Sequence, residues 1–130
     1  MREAYAVLGK DQKVLLMQLP GGGSSVAIPD SRNLWEFIWE HRDEITGIAH
    51  THPGGGIPGP SYEDLTTFRA IEKGLGKRLE WWIATKDFLS LYVYEDREYV
   101  FELVRGIGSD TPWVTELLEL SYREEKCRTS

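Results

Sequence analysis

Cysteine is nearly missing from this sequence: Cys127 stands alone among 130 residues. One thiol excludes an internal disulfide framework and a cysteine-built zinc cage, and it makes a reducing cytoplasm the default compartment. Basic residues are also in short supply. Fifteen Lys and Arg face 21 Asp and Glu, a net charge of −6, which argues against non-specific binding to nucleic-acid phosphates. No apolar run approaches the ~18–20 residues that span a bilayer, so no membrane association is expected. With Met1-Arg2-Glu3-Ala4 directly before the first strand pattern, no secretory leader is expected. Repeats and low-complexity tracts are missing too. The remaining profile is that of a single domain over residues 1–130, with 41% hydrophobic, 28% charged and 12% aromatic residues. A chain of this length buries about two-thirds of its unfolded surface.

Hydrophobic patterning predicts the elements. Residues 4–8 and 14–19 are short apolar runs on either side of Gly9-Lys10-Asp11-Gln12, a predicted hairpin. Residues 25–28 are a candidate third short strand. Pro29-Asp30-Ser31 opens a helix, capped by Asp30 or Ser31, that carries Leu34, Trp35, Ile38 and Trp39 at helical spacing. Residues 45–51 are β-like. A second helix runs from Ser61 to about Leu75, with Leu65, Phe68, Ile71 and Leu75 on one stripe and Gly74 and Gly76 at its end. Residues 79–84, 88–94 and 99–104 are three further strands. Asp110 or Thr111 caps a last helix with Pro112 in its first turn. The segments expected to be loose are 20–25, 53–60 and the tail from Arg123. This order predicts an α/β fold, a three-layer sandwich with a mixed central sheet flanked by helices.

The chemistry concentrates in His50-Thr51-His52-Pro53, a Gly/Pro-rich loop, and Ser61-Tyr62-Glu63-Asp64. Side chains two apart in a strand share a face, so His50 and His52 point the same way at the end of their strand. A Gly/Pro loop can fold the chain back over that end. Asp64, in the first turn of the next helix, can then turn its carboxylate to the two imidazoles. Two nitrogens and one carboxylate oxygen make an open three-ligand zinc site, with a position left for water. Taken alone, Ser61-x-x-Asp64 reads first as a helix-capping pattern and His-x-His as a polar strand face. It is their convergence on one end of a sheet, where open sheets bind ligands, that favours a site.

These residues resemble the signature of the JAMM (JAB, or MPN-plus) metalloprotease family: a distant Glu, then His-[Ser/Thr]-His-Pro, a loop, and Ser-x-x-Asp. Here the matching positions are His50, Thr51, His52, Pro53, Ser61 and Asp64. The loop over residues 53–60 is one residue longer than the family's usual spacing. The order of elements from about Glu3 to the last helix is similar to the family's as well, which implies a JAB/MPN-like fold. The resemblance implies Zn2+ on His50, His52 and Asp64. It also implies a catalytic Glu at the head of the first strand, where Glu3 lies 47 residues before His50 in a Glu, apolar strand, Gly segment. Glu36, Glu40 and Glu44 are rivals for that role, but an acidic helix more often just presents a solvated face. Ser61 would help stabilise the oxyanion.

The implied activity is zinc-dependent hydrolysis of an amide bond at the C-terminal tail of a ubiquitin-like or sulfur-carrier protein. A RadC-like protein and a non-catalytic interaction module of the same fold are the alternatives. An iron oxygenase usually takes its second histidine from far along a β-barrel, and a zinc deaminase needs cysteine ligands. Of the remaining residues, His41 reads as structural, late in its helix, and Trp35 and Trp39 as packing. Trp81 and Trp82 face opposite sides of a strand: one is expected in the core, and the other is a candidate lining for a substrate groove. Cys127 has no base beside it and receives no catalytic role.

Overall fold

The structure, a computed structural model, describes residues 3–19, 32–52, 56, 59–106 and 112–129. The candidate strand at 25–28, the helix caps at Asp30, Ser31, Asp110 and Thr111, and most of the 53–60 loop lie outside the described residues. The elements are β1 (Tyr5–Gly9), a 3-10 turn (Lys10–Gln12), β2 (Val14–Gln18), α1 (Arg32–Glu40), β3 (Ile45–Thr51), α2 (Tyr62–Leu75), β4 (Glu80–Ala84), β5 (Phe88–Glu95), β6 (Glu98–Gly106) and α3 (Pro112–Thr129). They follow the order expected from the sequence. α3 differs at its end: its helical backbone continues through Thr129, beyond Arg123 where a loose tail was expected.

The strands form a mixed sheet in the order β2-β1-β3-β4-β5-β6. The β3–β4 pair is parallel and the other pairs are antiparallel. The parallel pair needs a crossover, and α2 supplies it. Gly47 lets β3 and β4 approach closely, because a Cβ there would lie 2.8 Å from the Glu80 carbonyl oxygen. The β5–β6 hairpin turns on Asp96 and Arg97, both at positive φ, as two-residue hairpin loops demand.

Strand side chains alternate between two cores. Tyr5, Val7, Ile48, Trp81 and Ile83 pack beneath Leu34 and Ile38 of α1 and Phe68 and Ile71 of α2. Ala6, Leu8, Ala49, Trp82 and Ala84 pack against Trp113, Val114 and Leu117 of α3. The result is helices, sheet, helix in three layers. Both tryptophans of β4 are buried, Trp81 in the first core and Trp82 in the second. Trp82 therefore does not line a groove: α3 covers the face that sequence alone left open, and the Trp113 ring meets Trp82 edge-on.

α2 ends on Gly76, which has φ +70 and donates its N–H to the Glu72 carbonyl. Gly74 lies inside the last turn, beneath the ring of Trp35. Trp39 is exposed and stacks under the Arg42 guanidinium. His41 stacks on Phe37 and places Nδ1 2.9 Å from the Phe37 carbonyl oxygen, a structural role. Among the described residues, no helix is long and apolar enough to cross a membrane.

Candidate metal centre

β3 delivers both histidines. Its alternation puts Ile48, His50 and His52 toward α2 and Ala49 and Thr51 toward α3. His50 is buried and its ring meets Phe68 of α2 edge-on. His52, just beyond the strand, is half-buried, and its N–H donates to the Ala84 carbonyl at the end of β4. The two histidines thus sit at the carboxyl end of the parallel pair.

Asp64 arrives from α2. Ser61 is the N-cap: its Oγ accepts the Asp64 N–H (3.0 Å), and Asp64 Oδ2 accepts the Ser61 N–H (2.9 Å). This capping box fixes the carboxylate over the strand end. The same Oδ2 lies 3.0 Å from His52 Nε2 and 3.3 Å from His50 Nε2, and the two Nε2 atoms are 3.0 Å apart. The cap and the site are one arrangement, because the geometry that satisfies the helix end also aims the carboxylate.

These three separations test whether the residues fit a metal. Ligands held at ~2.0–2.1 Å in a tetrahedron are about 3.3 Å apart. Two imidazole nitrogens and a carboxylate oxygen already stand at close to that spacing. His50 Nδ1 is buried and has no hydrogen-bond partner among the described residues, and it is Nε2 that faces His52 and Asp64.

Register brings in Glu3. β1 and β3 pair antiparallel with Tyr5 opposite His50 and Ala6 opposite Ala49. Continuing that register sets Glu3 across from His52 and on the same face. Ligand atoms of Glu3, His50 and His52 all lie within 4.8 Å of one another, close enough to hold a metal ion. The rivals are not part of it: Glu36, Glu40 and Glu44 are exposed, Glu36 pairs with Arg32 at 3.1 Å, and none joins this group.

Burial opposes charge on His52, but the Asp64 carboxylate, by hydrogen bond and by charge, outweighs it, with help from Glu3; its pKa is raised. Burial also opposes charge on Asp64. The two imidazoles and the Ser61 N–H overcome it and hold the carboxyl well below the usual carboxylate range. A raised His52 pKa stabilises the metal-free fold below the unfolded value of ~6.5, and this contribution is lost as pH rises through the folded value. The depressed Asp64 pKa adds stability above ~3.9, lost as pH falls. A metal held by His52 would reverse this sign, because the bound form would carry no proton on that nitrogen, whereas the unfolded chain does below ~6.5. Thermal unfolding in chelator is therefore expected to show stability declining above pH ~6.5, and unfolding at fixed free metal to show it climbing up to about that pH. Parallel profiles with and without metal would remove His52 from the ligand set.

Sequence reasoning missed Glu72. It is buried on α2 and accepts hydrogen bonds from Arg78, the Leu79 N–H, Trp81 Nε1 and the Tyr99 hydroxyl. Its position four residues after Phe68, on the buried stripe, was the available signal. The network ties the end of α2 to β4 and β6 and takes no part in the centre. Thr85 is a smaller omission: its hydroxyl donates to the Gly56 carbonyl, tying Gly56 to the end of β4. Compared with known proteins, the chain matches no family model and no curated protein.

Proposed function

We propose that this chain is a zinc-dependent isopeptidase or peptidase of the JAMM/JAB kind, with a JAB/MPN-like fold. Its substrate would be an amide bond at the C-terminal tail of a ubiquitin-like or sulfur-carrier protein, met in the cytoplasm. The observation that carries the reading is the close triangle of His50 Nε2, His52 Nε2 and Asp64 Oδ2 with the Glu3 carboxylate beside it. An intact donor set of this kind also speaks against a non-catalytic module.

His50, His52 and Asp64 would hold the ion. Zinc, when bound, supplies a Lewis acid that polarises the amide carbonyl and acidifies water. The chain's own residues do the rest. Glu3 takes the proton from the attacking water and passes it to the leaving amine. Ser61 Oγ accepts the Asp64 N–H, so its own hydroxyl hydrogen is free to donate to the oxyanion as it forms.

The test uses a ubiquitin-like domain whose C-terminal glycine is joined by an amide to a reporter amine. Zinc-loaded protein is expected to release the reporter, a chelator to stop the release, and added zinc to restore it. Release that continues at full rate in chelator would overturn the reading. Ser61→Ala should cost about 0.5–2 kcal/mol through the lost cap and slow turnover by about 10²-fold, as loss of an oxyanion donor does. Turnover that falls only with the folded fraction would leave Ser61 as a cap alone.

A further inference from the structure

We infer that Thr51 is a positioning residue, which with Ser121 of α3 holds Glu3 in place at the metal centre from the opposite face of the sheet. The inference rests on the peptidase reading for the role it gives Glu3.

Glu3 stands outside the first strand, so its backbone must be held by something other than the regular ladder. The residue after it, Ala4, is clamped at both polar groups by one partner. The Ala4 carbonyl accepts the Thr51 N–H at 3.0 Å, and the Ala4 N–H donates to Thr51 Oγ1 at 2.9 Å. The second bond uses a side chain where an antiparallel ladder would use a carbonyl. Thr51 Oγ1 is itself fixed, 2.7 Å from Ser121 Oγ. Ala4, Thr51 and Ser121 are all fully buried, so no water replaces either bond if the hydroxyl is lost.

The geometry divides the work of β3 by face. His50 and His52 project to the α2 side and meet the metal, while Thr51, between them, projects to the α3 side and locks the chain that carries Glu3. His50, His52 and Asp64 are anchored by β3, β4 and the α2 cap and do not depend on this lock. Loosening it should therefore move the carboxylate and leave the ligands where they are. A displacement of about 1 Å in a catalytic group costs on the order of 10²-fold.

The test compares Thr51→Val/Ser121→Ala, which removes both hydroxyls and leaves neither stranded, with Thr51→Ser, which keeps the hydroxyl. The double variant is expected to keep its zinc and its KM, to exchange the Ala4 amide about tenfold faster or more, and to lose kcat by ~10–10²-fold. Thr51→Ser should restore kcat. In a Glu3→Gln background the double variant should cost nothing further, which a general loss of stability would not reproduce. Cobalt-loaded protein supplies an arm without turnover: the paramagnetic shift of the Glu3 resonances should shrink in the double variant and return in Thr51→Ser. An unchanged Ala4 amide and Glu3 shift overturns the inference. Wild-type protein that shifts Glu3 yet hydrolyses no amide overturns the peptidase reading and leaves the lock standing.

Discussion

Replacing His52 with alanine is expected to take zinc content from about one ion per chain to none. A catalytic zinc site of this type has three protein ligands, and His52 Nε2 is the one atom that sits 3.0 Å from each of the other two. Without it one imidazole and one carboxylate remain, too few to compete with water. The fold should survive, because His52 lies beyond the end of β3 and outside both hydrophobic clusters. Circular dichroism in chelator should therefore match wild type, while metal analysis after desalting separates the two proteins. The same assay decides which carboxylate completes the centre. Asp64 touches both imidazoles, whereas Glu3 joins them within a looser 4.8 Å and acts on His52 through charge. Asp64→Asn should lose the ion and Glu3→Gln should keep it. Full zinc in His52→Ala would place the ligands elsewhere.

What could be read from the residues followed from period and spacing. β3 was legible to the residue, because its apolar run ends on His50-Thr51-His52, and the period of two put both imidazoles on one face. Asp64 was legible twice over, as the acidic N3 member of a capping box and as a carboxylate aimed back at the strand, and both readings hold at once. The rest depended on contacts that no local pattern carries. Glu3 was named in the sequence through the family resemblance alone; its place beside His52 comes from the antiparallel register that sets Tyr5 opposite His50, and register is a property of two strands. Thr51 finds its partner 70 residues away on α3. One of Trp81 and Trp82 looked free to line a groove because nothing near them in the chain announces that helices cover both faces of the sheet. Glu72 drew no reading from the sequence, because its partners Trp81 and Tyr99 converge on it only in the fold.

Glu3→Gln is expected to reduce kcat by at least ~10²-fold, the low end for acid–base catalysis, with zinc, fold and KM unchanged. Glutamine keeps the size of the side chain and removes its basicity. Because β1 pairs with β3 in a fixed register, the amide should occupy the same space beside His52. It cannot accept a proton from water, so under the proposed peptidase reading the hydrolysis should fail while His50, His52 and Asp64 would still hold the ion. Loss of the negative charge has a second consequence. Glu3 is one of the causes that raise the His52 pKa, so in metal-free Glu3→Gln the imidazole should give up its proton at lower pH. A histidine titration followed by NMR would read this shift independently of turnover. Glu36→Gln, Glu40→Gln and Glu44→Gln provide the contrast. These carboxylates are exposed on or just after α1 and join no ligand group, so kcat should stay at the wild-type value in each. A fully active Glu3→Gln together with one inactive helix variant would mean that the base comes from α1 and that the head of β1 has only a structural part.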